Sequence, residues 1–412
     1  MRLLRLKEYE TERRVPLSIM ERDAFGVLAP NVRLVPATGL EDSYDLTPGS
    51  WVGTMQFGAL HVEIRPKISI PRVLFLLSYA MNPAHWKDTP FAYEEADSLL
   101  EAIIPGYIVQ IRRAFRGGIL QGYRTVDETL MTVRGRLRFE DQVRYRFGRF
   151  PPAEVRYDDY TEDIEANRLI KAALHRLQRM PVRSMVLRQS LREFESLLTN
   201  VTLISYDPRR MPSVSYTRLN ERYRFAIELS RLILKSTSLD LYAGTAQSST
   251  FLVNMNEVFE NFVVVALREA LGVSNKTLRQ GAAGRVIHLD QADALKLEPD
   301  LSWWDSFGCT FVGDVKYKRL GGGEIKNGDV YQMLAYTIAT DLPGGLLIYA
   351  SGEAMPTTHE VVHVGKAIYI RVLDVTRSPQ DVLEQIGAIA GQIALLRQTA
   401  VLKQFQTAAK TG

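Results

Sequence analysis

The chain has 412 residues, 46% of them apolar and 24% charged, with a formal net charge of +4; that is length for two or three domains with cores of their own, and a composition that excludes a disordered chain. A single cysteine, Cys309, excludes an intramolecular disulfide and a cysteine-rich zinc site and fits a reducing compartment. The N-terminus has no signal-peptide core and the apolar run from Ile68 to Ala80 is too short to span a bilayer, so a cytoplasmic location is expected, and a nucleic-acid partner has to be argued from local charge.

Residues 1–67 read as a β-rich domain: VRLVPA, a turn at DLTPGSWVG, then MQFGALHVEIRPKI, in which Leu60, Val62 and Ile64 alternate onto one face. Ile68 to Ala80 predicts a buried helix entered through Pro71, opening a mostly helical middle region over 68–215. Between Arg112 and Arg156 stand eleven arginines and no lysine, and TVRGRLRF predicts a strand with Arg134, Arg136 and Arg138 on one face. Such a face suits DNA phosphates or a protein partner; the alternative is arginine filling solvated positions, with five acidic residues diluting the charge. Asp159 and Glu162 have capping-box spacing ahead of a helix in which Ala166, Leu169, Ile170, Ala173, Leu174 and Leu177 share a stripe. Pro208 and Pro212 break the chain, which places an interdomain joint near residues 205–216 and a third domain over 216–412.

In that third region Phe251 to Leu271 predicts a helix with Met255, Val258, Phe259, Phe262, Val263, Ala266 and Leu267 inward, and with Glu260 at the edge of the stripe. Glu260 is placed either to look into a site or to make an ordinary flanking salt bridge. The stretch KLEPDLSWWDSFGCTFVGDVKYK, Lys296 to Lys318, then sets carboxylates and lysines inside apolar, strand-like runs, where charge is costly to hold. Strand alternation points Asp314, Lys316 and Lys318 the same way, and WWDSFG reads as a hairpin connection that folds Asp300 back beside Asp314. Two carboxylates and an ammonium suit a hard divalent cation, Mg²⁺, and phosphodiester hydrolysis. A Pro-Asp pair and an Asp-x-Lys triplet are short patterns that also arise as surface salt bridges. Against that, lysine is scarce here, 13 against 38 arginines.

Gly321 to Gly323 read as a loop, and Asp329 as the cap of a helix with Tyr331, Leu334, Ala335 and Ile338 inward and Gln332 and Tyr336 on the neighbouring face. Strands LLIYA and AIYIRVL and a terminal helix from about Gln380 to Gln406 complete an α/β core. His359 to His363 matches the HExxH pattern of zinc proteases, but TTHEVVHV is β-branched, and in a strand residues four apart are separated by roughly 13 Å, too far to share a zinc. No GxxxxGK[ST] sequence is present, so any nucleotide-driven step needs another subunit.

In the order in which they occur, HVEIRPKI, GGILQGY, VRGRL, YTEDIEANRLIKAAL, NMNEVFENFV, the Pro-Asp pair, GDVKYK and YQMLAY resemble the McrC family, the nuclease subunits of McrBC modification-dependent restriction systems. The resemblance implies an α/β fold with a C-terminal PD-(D/E)xK restriction-endonuclease-like core behind a β-rich N-terminal domain and a mostly helical middle region. It implies that Asp300, Asp314 and the Val315 carbonyl are metal ligands, that Lys316 is the catalytic lysine, and that Glu260 is a further metal-binding carboxylate supplied by a helix. Gln332 and Tyr336 match the QxxxY helix of RecB-like branches of that superfamily, beside the active site. The implied cofactor is Mg²⁺, the substrate modified double-stranded DNA, and the partner a McrB-like AAA+ GTPase ring, docked by the N-terminal portion and the arginine-rich span and stimulated in its GTP hydrolysis. Rival readings are an adaptor that activates an NTPase ring with a degenerate nuclease site, and a stand-alone RecB-like repair nuclease.

Overall fold

In the computed structural model, which describes residues 2–27, 31–40, 42–84, 86, 98–237, 248–281, 286–317, 327–350 and 357–411, the chain is mixed α/β. It opens with β1 (Arg2–Lys7), β2 (Glu12–Pro16), α1 (Ile19–Val27), β3 (Val32–Pro36), β4 (Ser43–Pro48), β5 (Trp51–Phe57) and β6 (Leu60–Arg65). β6 does not alternate in burial: the expected Leu60, Val62 and Ile64 are buried, and so are His61 and Glu63 between them. The helix expected at Ile68–Ala80 is α2 (Ile70–Met81), with Pro71 in its first turn.

α3 (Leu99–Phe115) follows, then β7 (Gly122–Leu130), β8 (Arg136–Leu137), α4 (Phe139–Arg146), β9 (Ala153–Thr161), α5 (Glu165–Gln178), α6 (Met185–Leu197) and α7 (Arg224–Ser236). β10 (Ser248–Asn254) and α8 (Met255–Leu271) divide a segment that the sequence reads as one helix: Phe251 to Asn254 are strand, and Asn254 caps α8 through its side chain. The predicted inward stripe of α8 is buried throughout. Next come β11 (Leu278–Arg279), β12 (Ile287–His288), β13 (Lys296–Leu297), β14 (Leu301–Asp305), β15 (Gly308–Lys316), α9 (Asn327–Ala339), β16 (Gly344–Ala350), β17 (Thr357–Val361), β18 (Lys366–Leu373) and α10 (Pro379–Thr411). Strands β1, β6, β5 and β10 form a four-stranded sheet in that order, and β11-β14-β15-β16-β18-β17 a six-stranded one. Among the described residues no helix is long and apolar enough to cross a membrane.

Two compact units emerge, one of residues 1–4, 54–62 and 90–252, the other of residues 5–53, 63–89 and 253–412. The proline-broken stretch around 205–216 has no helix or strand and lies within the first unit. In that unit α3, α5 and α7 pack together, and the buried Tyr107 hydroxyl lies 2.6 Å from Ser230 Oγ. Asp159 belongs to β9 and Ile164 stands at the N-cap of α5, so the capping-box reading of Asp159 and Glu162 fails: β9 pairs along its whole length with β7, from Gly122↔Thr161 to Leu130↔Ala153, and ladder bonds hold Asp159 extended.

The arginine face is corrected too. Only Arg136–Leu137 of TVRGRLRF is strand, because Gly135 turns the chain at φ +73°. Arg134 stacks over the Tyr157 ring at 4.1 Å and bonds Asp159 at 3.1 Å, while Arg138 is ion-paired to Asp127 and Asp141. A Cβ at Gly135 would lie 2.4 Å from the Arg156 carbonyl oxygen. Replacing Gly135 by alanine is therefore expected to cost about 1–3 kcal/mol, read as faster hydrogen exchange along β8 and β9 with α5 unchanged.

In the second unit β15 is the buried centre: β14 pairs antiparallel on one side, β16 parallel on the other, and β16 pairs parallel with β18. α8 packs on α2, with the Phe262 ring 5.4 Å from Phe75, and also on β15 and α10. α9 buries Met333, Tyr336 and Thr337 rather than the predicted set; Tyr331 and Ile338 are exposed. The reason is contact with the sheet, since Gly345 leaves just enough room for Met333 to lie against β16. His359 lies in the edge strand β17, as its β-branched neighbours favour, whereas His363 lies in the turn after it, at φ +65°, not in the strand expected for both.

Candidate active site

The β14–β15 hairpin builds the site. Its ladder runs Leu301↔Gly313, Ser302↔Val312 and Trp303↔Phe311, shifts between Trp303 and Trp304, and closes at Asp305↔Gly308. Trp303 and Trp304 are thus strand residues, and the connection is tighter than WWDSFG suggests. Continued one residue past Leu301↔Gly313, the ladder sets Asp300 opposite Asp314, and the Val315 N–H donates to Asp300 Oδ2 at 2.8 Å. Alternation puts Lys316 on the face of Asp314, and the two form a close ion pair.

Asp314 is 1% exposed, and neither of its carboxylate oxygens has a hydrogen bond of good geometry; its contact with Lys316 is an ion pair alone. Burial, then the charge of Asp300, pushes Asp314 up to about 7, against the pull of Lys316. Burial also raises Asp300, opposed by the Val315 N–H and reinforced by Glu260. For Lys316 burial favours the neutral form, but the charges of Asp314, Asp300 and Asp329 outweigh it and hold the ammonium above its usual range.

A buried carboxylate with no hydrogen bond of good geometry, facing a half-buried one and offset by the Lys316 ammonium alone, is an expensive arrangement without a further cation. The donor set fits Mg²⁺, which binds through one or two carboxylates while keeping water and substrate phosphate as further ligands. Among the described residues no three His, Cys, Asp or Glu side chains stand close enough to share a metal. Glu260, on α8, accepts from Gln280 Nε2 at 2.8 Å, so it contributes charge to Asp300 from that position.

Gln332 and Tyr336 come together on α9: Gln332 Nε2 donates to the Tyr336 hydroxyl at 2.7 Å, and that hydroxyl donates to the Glu298 carbonyl at 3.2 Å, just ahead of Asp300. Asp329 is not a helix cap. It lies inside α9, buried, and accepts from the Tyr349 hydroxyl at 2.9 Å. Tyr349 sits beside Lys316 in the β15–β16 ladder, so α9 covers the face that carries Asp314 and Lys316. The acidic flank of Lys316 was hidden in sequence by the resemblance of Asn-Gly-Asp to a helix start. Lys318 and Gly321 to Gly323 lie outside the described residues.

The family described as McrBC 5-methylcytosine restriction system component matches residues 46–350. The type IV methyl-directed restriction enzyme EcoKMcrBC of Escherichia coli K12 is 22% identical over 310 residues, which cover 69% of this chain and 86% of that protein. A chain of the solved half-complex of Thermococcus gammatolerans McrB AAA+ hexamers with bound McrC has a similar fold, with a TM-score of 0.53 at 16% identity, covering 94% of this chain and all of that one.

Proposed function

Because the chain belongs to the family of McrBC 5-methylcytosine restriction system components, we propose that it is the McrC-type nuclease subunit of a modification-dependent restriction complex. In this reading a PD-(D/E)xK core lies within the unit that holds residues 253–412. The enzyme is a Mg²⁺-dependent endodeoxyribonuclease acting on modified duplex DNA. The observation that carries the reading is the buried Asp314 facing Asp300, with Lys316 ion-paired beside it.

Asp300, Asp314 and the Val315 carbonyl would hold Mg²⁺, with Glu260 adding negative charge from α8. Such an ion would supply an activated water and offset charge on the leaving oxygen. Lys316, its ammonium kept charged by the carboxylates around it, is placed to orient the attacking water and face the scissile phosphate. The buried Tyr336 fixes the backbone at Glu298, and the exposed Gln332 bonded to it offers a polar group to DNA beside the proposed metal site.

The partner is a McrB-like AAA+ GTPase ring, the kind of assembly in which the similar Thermococcus gammatolerans chain was solved. Absence of a Walker A sequence here supports a separate motor. The β7–β9 hairpin supports a partner-facing role for the arginine-rich span, since between its strands Phe139, Tyr145, Phe147 and Phe150 are all exposed. Replacing Arg134, Arg136 and Arg138 together by alanine is expected to weaken ring binding. If the same face instead tracks phosphates, DNA affinity falls and its salt dependence flattens; no change in either assigns the three to solvent.

The reading is tested by mixing the chain with its ring, GTP, Mg²⁺ and methylated duplex DNA. Cutting that stops when the ring or Mg²⁺ is left out is the expected result. Cutting without the ring favours a stand-alone nuclease, and GTPase stimulation without cutting an adaptor.

A further inference from the structure

Glu8 stands at the end of β1, far in sequence from the candidate site, yet it is only 2% exposed. One carboxylate oxygen accepts from the Lys67 N–H at 3.1 Å and from the Tyr317 hydroxyl at 3.4 Å, and the other has no hydrogen-bond partner. The Lys67 ammonium lies 3.7 Å from the centre of the Tyr317 ring, 3.5 Å from the Tyr317 carbonyl oxygen and 5.3 Å from the centre of the Tyr9 ring. Tyr317 also packs on Phe259, the α8 residue next to Glu260, with ring centres 5.7 Å apart.

Tyr317 immediately follows Lys316 and is the first residue beyond β15. Its hydroxyl is therefore held by Glu8 and its ring and carbonyl by the Lys67 ammonium, at the point where the ladder no longer fixes the backbone. A half-satisfied buried carboxylate is costly to carry. Holding the backbone after Lys316 gives it a use, because a reacting group has to stand within a fraction of an ångström of its working position.

We propose that Glu8 and Lys67 are positioning residues for Lys316: by clamping Tyr317 they fix the exit of β15 and hold the lysine in line with Asp314. This rests on the nuclease reading. The segment HVEIRPKI, which ends one residue after Lys67, is then tied to catalysis rather than to docking alone.

The test uses the full chain with its ring partner. Lys67→Met keeps the apolar stem and removes the cation; kcat for strand cleavage is expected to fall between about ten- and a hundredfold with KM for DNA unchanged. Lys67→Arg keeps a cation over the ring and is expected to recover most of the rate. In the metal-free chain, hydrogen exchange of the Gly313–Tyr317 segment is expected to quicken in Lys67→Met by roughly the same factor, a readout that needs neither metal nor turnover.

A full cleavage rate in Lys67→Met, unchanged exchange at Gly313–Tyr317, or a loss in Lys67→Arg equal to that in Lys67→Met would each overturn the proposal. Should Lys67→Met fail to fold, Tyr317→Phe removes a single hydroxyl, and full activity in that variant overturns it as well. Asp314→Ala separates the two levels: if Asp314→Ala still cuts, the site itself is misassigned, whereas a dead Asp314→Ala beside a fully active Lys67→Met sinks the clamp alone.

Discussion

Asp300→Asn is expected to abolish strand cleavage, by at least on the order of 10³-fold, while leaving the chain folded and no less stable. Asparagine keeps an oxygen to accept from the Val315 N–H, so the hairpin retains its bond at that position. What disappears is a half-buried negative charge whose repulsion, after burial itself, raises the Asp314 carboxyl. Relief of that repulsion is expected to stabilise the metal-free variant by roughly 1–2 kcal/mol, the usual relation between a strained active site and stability. If docking to the proposed ring is independent of the metal site, stimulation of GTP hydrolysis is expected to survive. Measuring cleavage, GTPase stimulation and a urea midpoint on one preparation checks all three. Retained cutting removes Asp300 from the site, and lost stimulation in a folded variant shows that docking and metal site are coupled.

The second large effect belongs to stability. Asp163, at the junction of β9 and α5, accepts two bonds from Arg168 at 2.7 Å, one each from the Thr202 N–H and hydroxyl at 2.8 Å, and a further close one from Arg124. Asp163→Ala breaks this network and leaves two guanidinium groups short of a partner, at an expected cost of about 2–3 kcal/mol, less than a fully buried pair because the arginines reach solvent. Bonding from Arg168, ahead of that from Thr202, holds the Asp163 carboxyl well below the usual carboxylate range despite its burial. The folded pKa thus lies below the unfolded value of about 3.9, so its contribution is complete above that pH and is lost as pH falls toward the folded value. Unfolding followed from pH 6 down to 2 should show wild type and Asp163→Ala converging at the acid end. Parallel curves would mean that the charge of Asp163 does not stabilise the unit.

Sequence alone determined what depends on local period. The apolar stripe of α8, the strands around HExxH, and the common face of Asp314 and Lys316 follow from repeats of 3.6 and 2 residues, whatever surrounds them. It also determined the family resemblance, since the order of motifs from HVEIRPKI to YQMLAY is a property of the chain itself.

Tertiary structure decided what depends on partners distant in sequence. Asp159 was drawn into β9 by its ladder with β7, and Asp329 was buried against Tyr349 instead of capping α9. α9 turned Met333 and Tyr336 inward because Gly345 admits the former and Glu298 binds the latter. Arg134 and Arg138 were taken up by Asp159, Asp127 and Asp141. Glu260 settled on Gln280, and Glu8 was buried beneath Tyr317. In each case a polar or charged side chain found its partner across the fold, where burial makes an unpaired group costly and no local pattern records which group will meet it.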